Sequence, residues 1–160
     1  MATRIGFGYD SHRFSDGDYI VVGGEKIAFD KGVDAHSDGD VLLHALCDAL
    51  LGAAAMGDIG KRFPDTDSKY KDIDSSVLVK SVVQQLNKKN YMVGNIDCTI
   101  ILEKPKLASH IPVMRKNVST LLNISIDNVN IKATTNEGMG FIGRGEGIAA
   151  YMSATLILKV

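Results

Sequence analysis

Asp10 and His12 stand two residues apart, just beyond a segment, residues 3–9, that reads as a strand and would carry them if it continues. A strand sends residues i and i+2 to one face, so this carboxylate and imidazole can converge on one ion. His44 lies far along the chain in a helical pattern and can supply a third ligand. Two imidazoles and one carboxylate suit Zn²⁺, and three protein ligands leave a position open for catalysis. Asp48, one helical turn after His44, can support the ligand from behind or meet a substrate. Spacing leaves a plainer reading open: an Asp-x-His pair and a helical histidine with no ion between them. His110 has no comparable neighbours and reads as a solvent-exposed or locally hydrogen-bonded residue.

A second polar cluster, AHSDGD over residues 35–40, precedes a helix. His36 and Ser37 there stand just before a helix N-terminus, where backbone N–H groups and the dipole favour an anion. The equal alternative is a capping turn with an incidental histidine. Further on, GMGFIG at residues 138–143 matches the letters of a dinucleotide-binding glycine motif. Its context defeats that reading, because only 17 residues follow Gly143, too few for the helix, strand and acidic residue required. Loop-shaping glycines that let backbone approach a ligand are the better account. Around them, Thr134, Thr135, Asn136, Glu137 and Arg144 offer hydroxyls, a carboxylate and a fixed cation. Such a set can bind phosphate oxygens, with Glu137 holding Mg²⁺ or Mn²⁺. A strand-to-strand loop with an Arg144–Glu146 surface pair is the alternative.

The elements that must position these groups follow from hydrophobic spacing. Residues 3–9 and 19–23 read as strands, with Ile27 and Phe29 extending the second, and 30–37 as loop. A Leu- and Ala-rich helix starts at Asp38 or Asp40 and runs to about Ala55, capped by Ser37 or Asp38. On it, Asp40, His44 and Asp48 fall four apart and form a polar ridge. A polar loop follows over MGDIGKRFPDTDSKYKDID. Helices are expected at about 75–89 and 108–122, and strands at 94–103, 128–135 and 147–158. Interleaved strands and helices predict an α/β or α+β fold, one sheet with helices packed on one side, in a single domain over residues 1–160.

Composition narrows the function classes. The chain has 160 residues, 45% of them hydrophobic and 23% charged, which excludes a disordered polymer. Eighteen basic residues against 19 acidic ones give no general attraction to nucleic acid or anionic lipid. No apolar run approaches the length of a membrane span. Cys47 and Cys98 fall in apolar patterns and read as small core residues in a reducing compartment. The N-terminal MATRIGFGYDSHRF shows no signal or transit segment, so a cytoplasmic protein is expected, a processed organellar form reading the same.

Taken together, GFGYDSHRF, KGVDAHSDGDVLLHALCDALLGAAAMGDIGKRFPDTD, EKPKL, HIPVMR and NVNIKATTNEGMGFIGRGEGIA resemble the 2-C-methyl-D-erythritol 2,4-cyclodiphosphate synthase family over nearly the whole chain. The resemblance implies a phosphorus–oxygen lyase of non-mevalonate isoprenoid biosynthesis. In it, the 2-phosphate of 4-diphosphocytidyl-2-C-methyl-D-erythritol 2-phosphate attacks the β-phosphorus, and CMP leaves as the cyclic diphosphate forms. It further implies a homotrimer with active sites between subunits, one Zn²⁺ per subunit, and Mg²⁺ or Mn²⁺ with the substrate diphosphate.

By the same resemblance, Asp10, His12 and His44 match the zinc ligands, and His36 and Thr135 match the residues that stabilise the transition state. Substrate contacts fall at Asp10, Ser11 and His12, at His36 and Ser37, at Asp58, Ile59 and Gly60, and at Phe63, Pro64, Asp65, Thr66 and Asp67. A cytidine pocket maps to Leu102, Glu103, Lys104, Pro105, Lys106, Leu107 and Ala108. The diphosphate segment maps to Thr134, Thr135, Asn136 and Glu137, the last holding the second metal, with Phe141 and Arg144 as further contacts. Some members bind an isoprenoid diphosphate on the trimer axis. Here Arg144 and Glu146 are present, but Tyr151 stands where some relatives carry an acid. Two rivals remain: a zinc-dependent hydrolase of a nucleotide diphosphate, disfavoured by the lack of a HExxH base, and a non-catalytic nucleotide-binding trimer.

Overall fold

A computed structural model describes residues 3–159. Seven strands and five helices follow one another along this stretch, with two short 3₁₀ turns. The strands are β1 (Thr3–Ser15), β2 (Tyr19–Val22), β3 (Glu25–Ala28), β4 (Gly32–Asp34), β5 (Tyr91–Ile101), β6 (Val129–Thr134) and β7 (Gly147–Leu158). The helices are α1 (Val41–Ala53), α2 (Ile59–Arg62), α3 (Ser75–Lys88), α4 (Ile111–Leu122) and α5 (Gly140–Gly143). Five strands form one sheet in the order β4-β1-β7-β5-β6, and β2 pairs with β3 in a separate hairpin. Only β5–β6 is parallel; the other neighbours run antiparallel. The mixed sheet with helices on one side agrees with the sequence expectation. The expected single domain over 1–160 extends to residues 1, 2 and 160, which lie outside those described.

α1 is the centre of the core. Leu42, Leu43, Leu46, Cys47, Leu50 and Leu51 are all fully buried, as are Ala45 and Ala49. A helix apolar around most of its circumference belongs inside. It lies directly on β1, because Gly6 and Gly8 present no side chain to it: a Cβ at Gly8 would stand 2.0 Å from the carbonyl oxygen of Ala45. The alternation of β1 then sends Ile5, Phe7 and Tyr9 to the opposite, open face of the sheet. There Tyr9 lies opposite Tyr151 of β7, their ring centroids 5.0 Å apart.

Four expectations are corrected. Residues 32–34 are a strand, held by pairing with Arg13–Ser15 at the far end of β1. β1 itself runs to Ser15, past the expected end at residue 9, because β7 and β4 together pair its polar half. The polar loop contains α2 and a 3₁₀ turn at Ser68–Tyr70, each started by an aspartate cap. The cap of α1 is Asp40, not Ser37 or Asp38. Asp40 therefore shares no solvent-facing ridge with His44. It is fully buried, and its carboxylate accepts N–H bonds from Gly23 (2.9 Å), Gly24 (2.7 Å) and Leu43 (3.0 Å).

Candidate functional site

Asp10 and His12 lie on the face of β1 that carries Gly6 and Gly8, the face against α1, and His44 occupies the first turn of that helix. Their donor atoms meet. Asp10 Oδ2 is 2.9 Å from His12 Nε2 and 3.0 Å from His44 Nδ1, and the two nitrogens are 3.1 Å apart. These three half-buried residues form a cluster able to hold a metal ion. The donor set fits Zn²⁺: two neutral imidazole nitrogens and one carboxylate oxygen at mutual distances that a single small ion can bridge.

Charge supports the same conclusion. Burial would raise the Asp10 carboxyl, but hydrogen bonds and charge from His12 and His44 overcome it and hold the group at about 2. Burial also opposes charge on His44, yet its hydrogen bond to Asp10 and the charges of Asp10, Asp40 and Asp38 raise it above its ordinary value. Without an ion the cluster thus binds a proton, and with one it offers a carboxylate and two imidazoles.

The cluster opens into a cavity of about 460 Å³ that it shares with Asp34, His36, Ser37, Ile59, Gly60, Phe63 and Asp65. Ser37 Oγ lies 3.0 Å from His44 Nε2. His36 has a buried Nε2 with no hydrogen-bond partner among the described residues. That orphaned atom fits a site whose remaining partner is a ligand. At the N-terminus of α1 the carboxylate of Asp40 takes the Leu43 amide.

α2 supplies the other wall. Its first amide, Ile59 N–H, donates to Asp48 Oδ1 at 2.7 Å. Asp48 therefore anchors this wall to α1, with no hydrogen bond to His44 among the described residues. Burial raises its carboxyl, with the Ile59 bond pulling the other way. Asp58 caps α2 through Lys61 N–H, and Asp67 caps the following 3₁₀ turn. Neither lines the cavity, nor do Pro64 and Thr66. Phe63 packs edge-on against Tyr70, also a wall residue. Ser11 points to the opposite face of β1 and is exposed.

A second cavity of about 230 Å³ lies beside β5 and β6, lined by Leu102, Pro105, Lys106, Leu107, Ala108, Ile111, Ala133, Thr134 and Thr135. Glu103 turns away from it and accepts the Asn136 amide at 2.8 Å, bracing the 134–137 segment. Lys104 is not part of the lining. Glu137 follows in the left-handed region, φ 53°, with its N–H on Thr135 Oγ1. The glycine motif is a tight loop: a Cβ at Gly143 would lie 2.0 Å from the Gly138 carbonyl carbon. Phe141 stands exposed on α5. Arg144 forms the exposed pair with Glu146, Nε to Oε1 2.7 Å. The two cavities share no residue and lie toward opposite edges of the sheet, one at β4–β1 and the other at β5–β6.

Cys47 and Cys98 are buried free thiols, Cys98 pushed up to about 12 by burial and Cys47 higher still. Both are core residues. His110 corrects the expectation of an exposed or locally bonded residue: it is half-buried and lies 3.4 Å from Glu25, distant in sequence and outside the site. Sequence spacing did not indicate Ser75, whose Oγ is 2.9 Å from His44 Nε2, or the acceptor role of Asp38 beside it. Among the described residues, no helix is long and apolar enough to cross a membrane.

Fold and site together define a mixed α/β protein with a three-residue cluster able to hold a metal ion, opening on a cavity of mixed polar and apolar lining. The chain belongs to the YgbB family, whose model matches residues 3–157. It is 61% identical over 153 residues to the 2-C-methyl-D-erythritol 2,4-cyclodiphosphate synthase of Methylococcus capsulatus, covering 96% of this chain and 97% of that one. The synthase of that name from Clostridium perfringens is 55% identical, covering 96% and 99%. Among solved structures, the Plasmodium falciparum IspF CDP complex superposes with a TM-score of 0.88 at 34% identity, covering 99% of this chain and 98% of that one. The bifunctional IspDF of Campylobacter jejuni gives 0.94 at 39% identity over 98% of this chain, which spans 42% of the larger protein.

Proposed function

We propose that this chain converts 4-diphosphocytidyl-2-C-methyl-D-erythritol 2-phosphate to 2-C-methyl-D-erythritol 2,4-cyclodiphosphate and CMP, as a lyase of non-mevalonate isoprenoid biosynthesis. Relatives that bear this synthase name match nearly full length at 55–61% identity. The observation that carries the reading to this chain is the convergence of Asp10, His12 and His44 in the same cavity as the orphaned Nε2 of His36.

An oxygen of the substrate's own 2-phosphate attacks the β-phosphorus. The bond from that phosphorus to the bridging oxygen breaks, and CMP leaves with the electron pair. Nucleophile and electrophile are tethered in one molecule, so the protein supplies alignment and charge stabilisation, not a nucleophile. Asp10, His12 and His44 would hold Zn²⁺, which when bound supplies a Lewis acid for a phosphate oxygen. His36 donates to a reacting phosphate oxygen, and Thr135 does the same from the second cavity. Ser37 and the Ile59–Gly60 wall position the erythritol 2-phosphate end. Phe63 and Asp65, which line the same cavity, complete the substrate-facing set, while Asp58 and Asp67 cap the turns that carry the wall. Glu137 would hold Mg²⁺ or Mn²⁺ at the diphosphate. Leu102 and Pro105 through Ala108 receive the cytidine, with Glu103 bracing the adjoining segment and the CDP complex of a structural neighbour supporting a cytidine nucleotide ligand.

The working unit in this reading is a homotrimer of single-domain subunits in the cytoplasm. Two observations support it. The two cavities lie toward opposite edges of one sheet, so each needs the other from a neighbouring copy. In addition, Ile5, Phe7, Tyr9 and Tyr151 leave an apolar patch exposed on the open face. An isoprenoid diphosphate on the three-fold axis, near Arg144, belongs to the same proposal and predicts thermal stabilisation by geranyl or farnesyl diphosphate. CMP release from the cytidine-linked substrate, abolished by His44→Ala, tests the activity. Folded protein that never releases CMP would contradict it.

A further inference from the structure

Behind His44 runs a chain of hydrogen bonds that the metal cluster alone does not require. Ser75 is the first residue of α3 and is fully buried. Its Oγ lies 2.9 Å from His44 Nε2, the ring nitrogen facing away from Asp10 and His12. Its hydroxyl also donates to Asp38 Oδ1, and its amide donates to Asp38 Oδ2 at 3.0 Å. The Asp40 amide donates to Asp38 Oδ1 as well, at 3.1 Å.

The donors fix the direction of the whole chain. A carboxylate ringed by two amide N–H groups has only acceptor capacity for the Ser75 hydroxyl. The Ser75 proton therefore points to Asp38, which leaves Ser75 Oγ a pure acceptor toward His44. His44 must then carry its proton on Nε2, and its Nδ1 lone pair faces Asp10 and His12. Ser37 Oγ, 3.0 Å from the same Nε2, shares that N–H and accepts the Gly39 amide at 3.3 Å. Its own hydroxyl proton stays free to donate to an anion in the cavity that it lines.

We propose that Ser75 and Asp38 are positioning residues that lock His44 in the Nε2–H tautomer and aim Nδ1 at the metal. This rests on the metal-centre reading above. Outer hydrogen bonds of this kind govern ligand orientation and basicity, and their loss weakens metal binding about 10–100-fold. The link also spans three separate segments: the turn before α1, α1 itself and the start of α3. α3 thus takes part in the site without contributing a ligand.

The test is equilibrium competition for Zn²⁺ between the full-length protein and a chromophoric chelator, with ¹⁵N NMR of the histidine rings in the Zn²⁺-loaded protein. Ser75→Ala should lose about 10–100-fold in affinity, whereas Ser76→Ala, its neighbour on the same helix turn, should stay within twofold. Asp38→Asn keeps the size of the side chain but sets an NH₂ against either the amide or the hydroxyl of Ser75. It should also lose at least tenfold, and the ring spectrum should show His44 Nε2–H weakened or lost. Ser75→Ala and Asp38→Asn that both bind Zn²⁺ within twofold of the wild type, with unchanged His44 ring signals, overturn the proposal. If Ser75→Ala does not fold, Asp38→Asn decides on the same two readouts. Wild-type protein that takes up no Zn²⁺ overturns the metal-centre reading itself, a distinct outcome.

Discussion

A Cβ on Gly8 would stand 2.0 Å from the carbonyl oxygen of Ala45, so the backbones of β1 and α1 touch where any side chain would hold them apart. Two residues beyond Gly8 on that strand is Asp10, and one residue before Ala45 on that helix is His44. The contact therefore sets the distance across which the metal cluster closes.

Gly8→Ala should push α1 off the sheet. The expected cost is at least about 1–3 kcal/mol, the usual penalty for overpacking, together with weakened Zn²⁺ binding. Gly52→Ala, on the same helix but with only one atom 3.9 Å from the new Cβ, should be neutral or stabilising by up to ~1 kcal/mol. Denaturant unfolding of both variants checks the pair. Equal costs would show that the close approach does not matter.

Zinc affinity should fall as pH drops. In the metal-free protein His44 is raised above 6.5 by Asp10, after burial is overcome, so an incoming ion must displace a proton. A raised histidine stabilises the metal-free fold below its unfolded value and loses that contribution as pH rises through its folded one. Metal-free protein should thus lose part of its stability on going from pH 6 to pH 8, whereas Zn²⁺-loaded protein should keep it. Calorimetric titration in buffers of different ionisation enthalpy should detect proton release on binding. Uptake without proton release would contradict the assignment.

Burial pushes Asp40 up to about 6, with three backbone N–H bonds pulling it back. Between about pH 4 and pH 6 the folded protein then holds more of this proton than the unfolded chain. Its contribution to stability is therefore greatest below pH 4 and falls as pH rises through 6, by roughly 3 kcal/mol at most. Asp40→Asn carries no such proton, so the stability of the wild type relative to this variant should decline across that window. A flat difference would show that the three N–H bonds cancel the burial.

Asp48→Ala should free the amide of Ile59 and loosen α2. Hydrogen exchange at Ile59 and Lys61 should quicken, while buried α1 amides such as Leu46 should not change. Substrate KM should rise more than kcat falls, because α2 is a wall and not a reacting group. Unchanged exchange at Ile59 would remove Asp48 from this role.

The proposed trimer has a simple signature: a solution mass of about 52 kDa, three times 17.2 kDa. Phe7→Asp should reduce it, since Phe7 is 63% exposed in the isolated chain and lies on the open sheet face. Sedimentation of both proteins decides. A wild-type monomer with full activity would contradict the shared-site arrangement.

Much of this was legible in the residues. Periodicity located α1, α3, α4 and the last three strands, because each buries a regular stripe. Chemical type and i,i+2 spacing brought Asp10 and His12 together, and the third ligand needed only a helix to carry it. What stayed hidden depends on partners distant in the chain. Gly32–Asp34 is a strand only because β1 extends beside it. Asp40 looked like a neighbour of His44 four residues away, but the turn at Gly23 and Gly24 covers it. Ser75 reads as an ordinary helix start until folding brings Asp38, 37 residues earlier, against its amide.

The most direct test of the central claim is ³¹P NMR of the product formed from 4-diphosphocytidyl-2-C-methyl-D-erythritol 2-phosphate, with and without a metal chelator. The account predicts a cyclic diphosphate and one CMP per turnover, both lost on chelation. A linear, hydrolysed product, or cyclic product that persists in a fully metal-free protein, would contradict it.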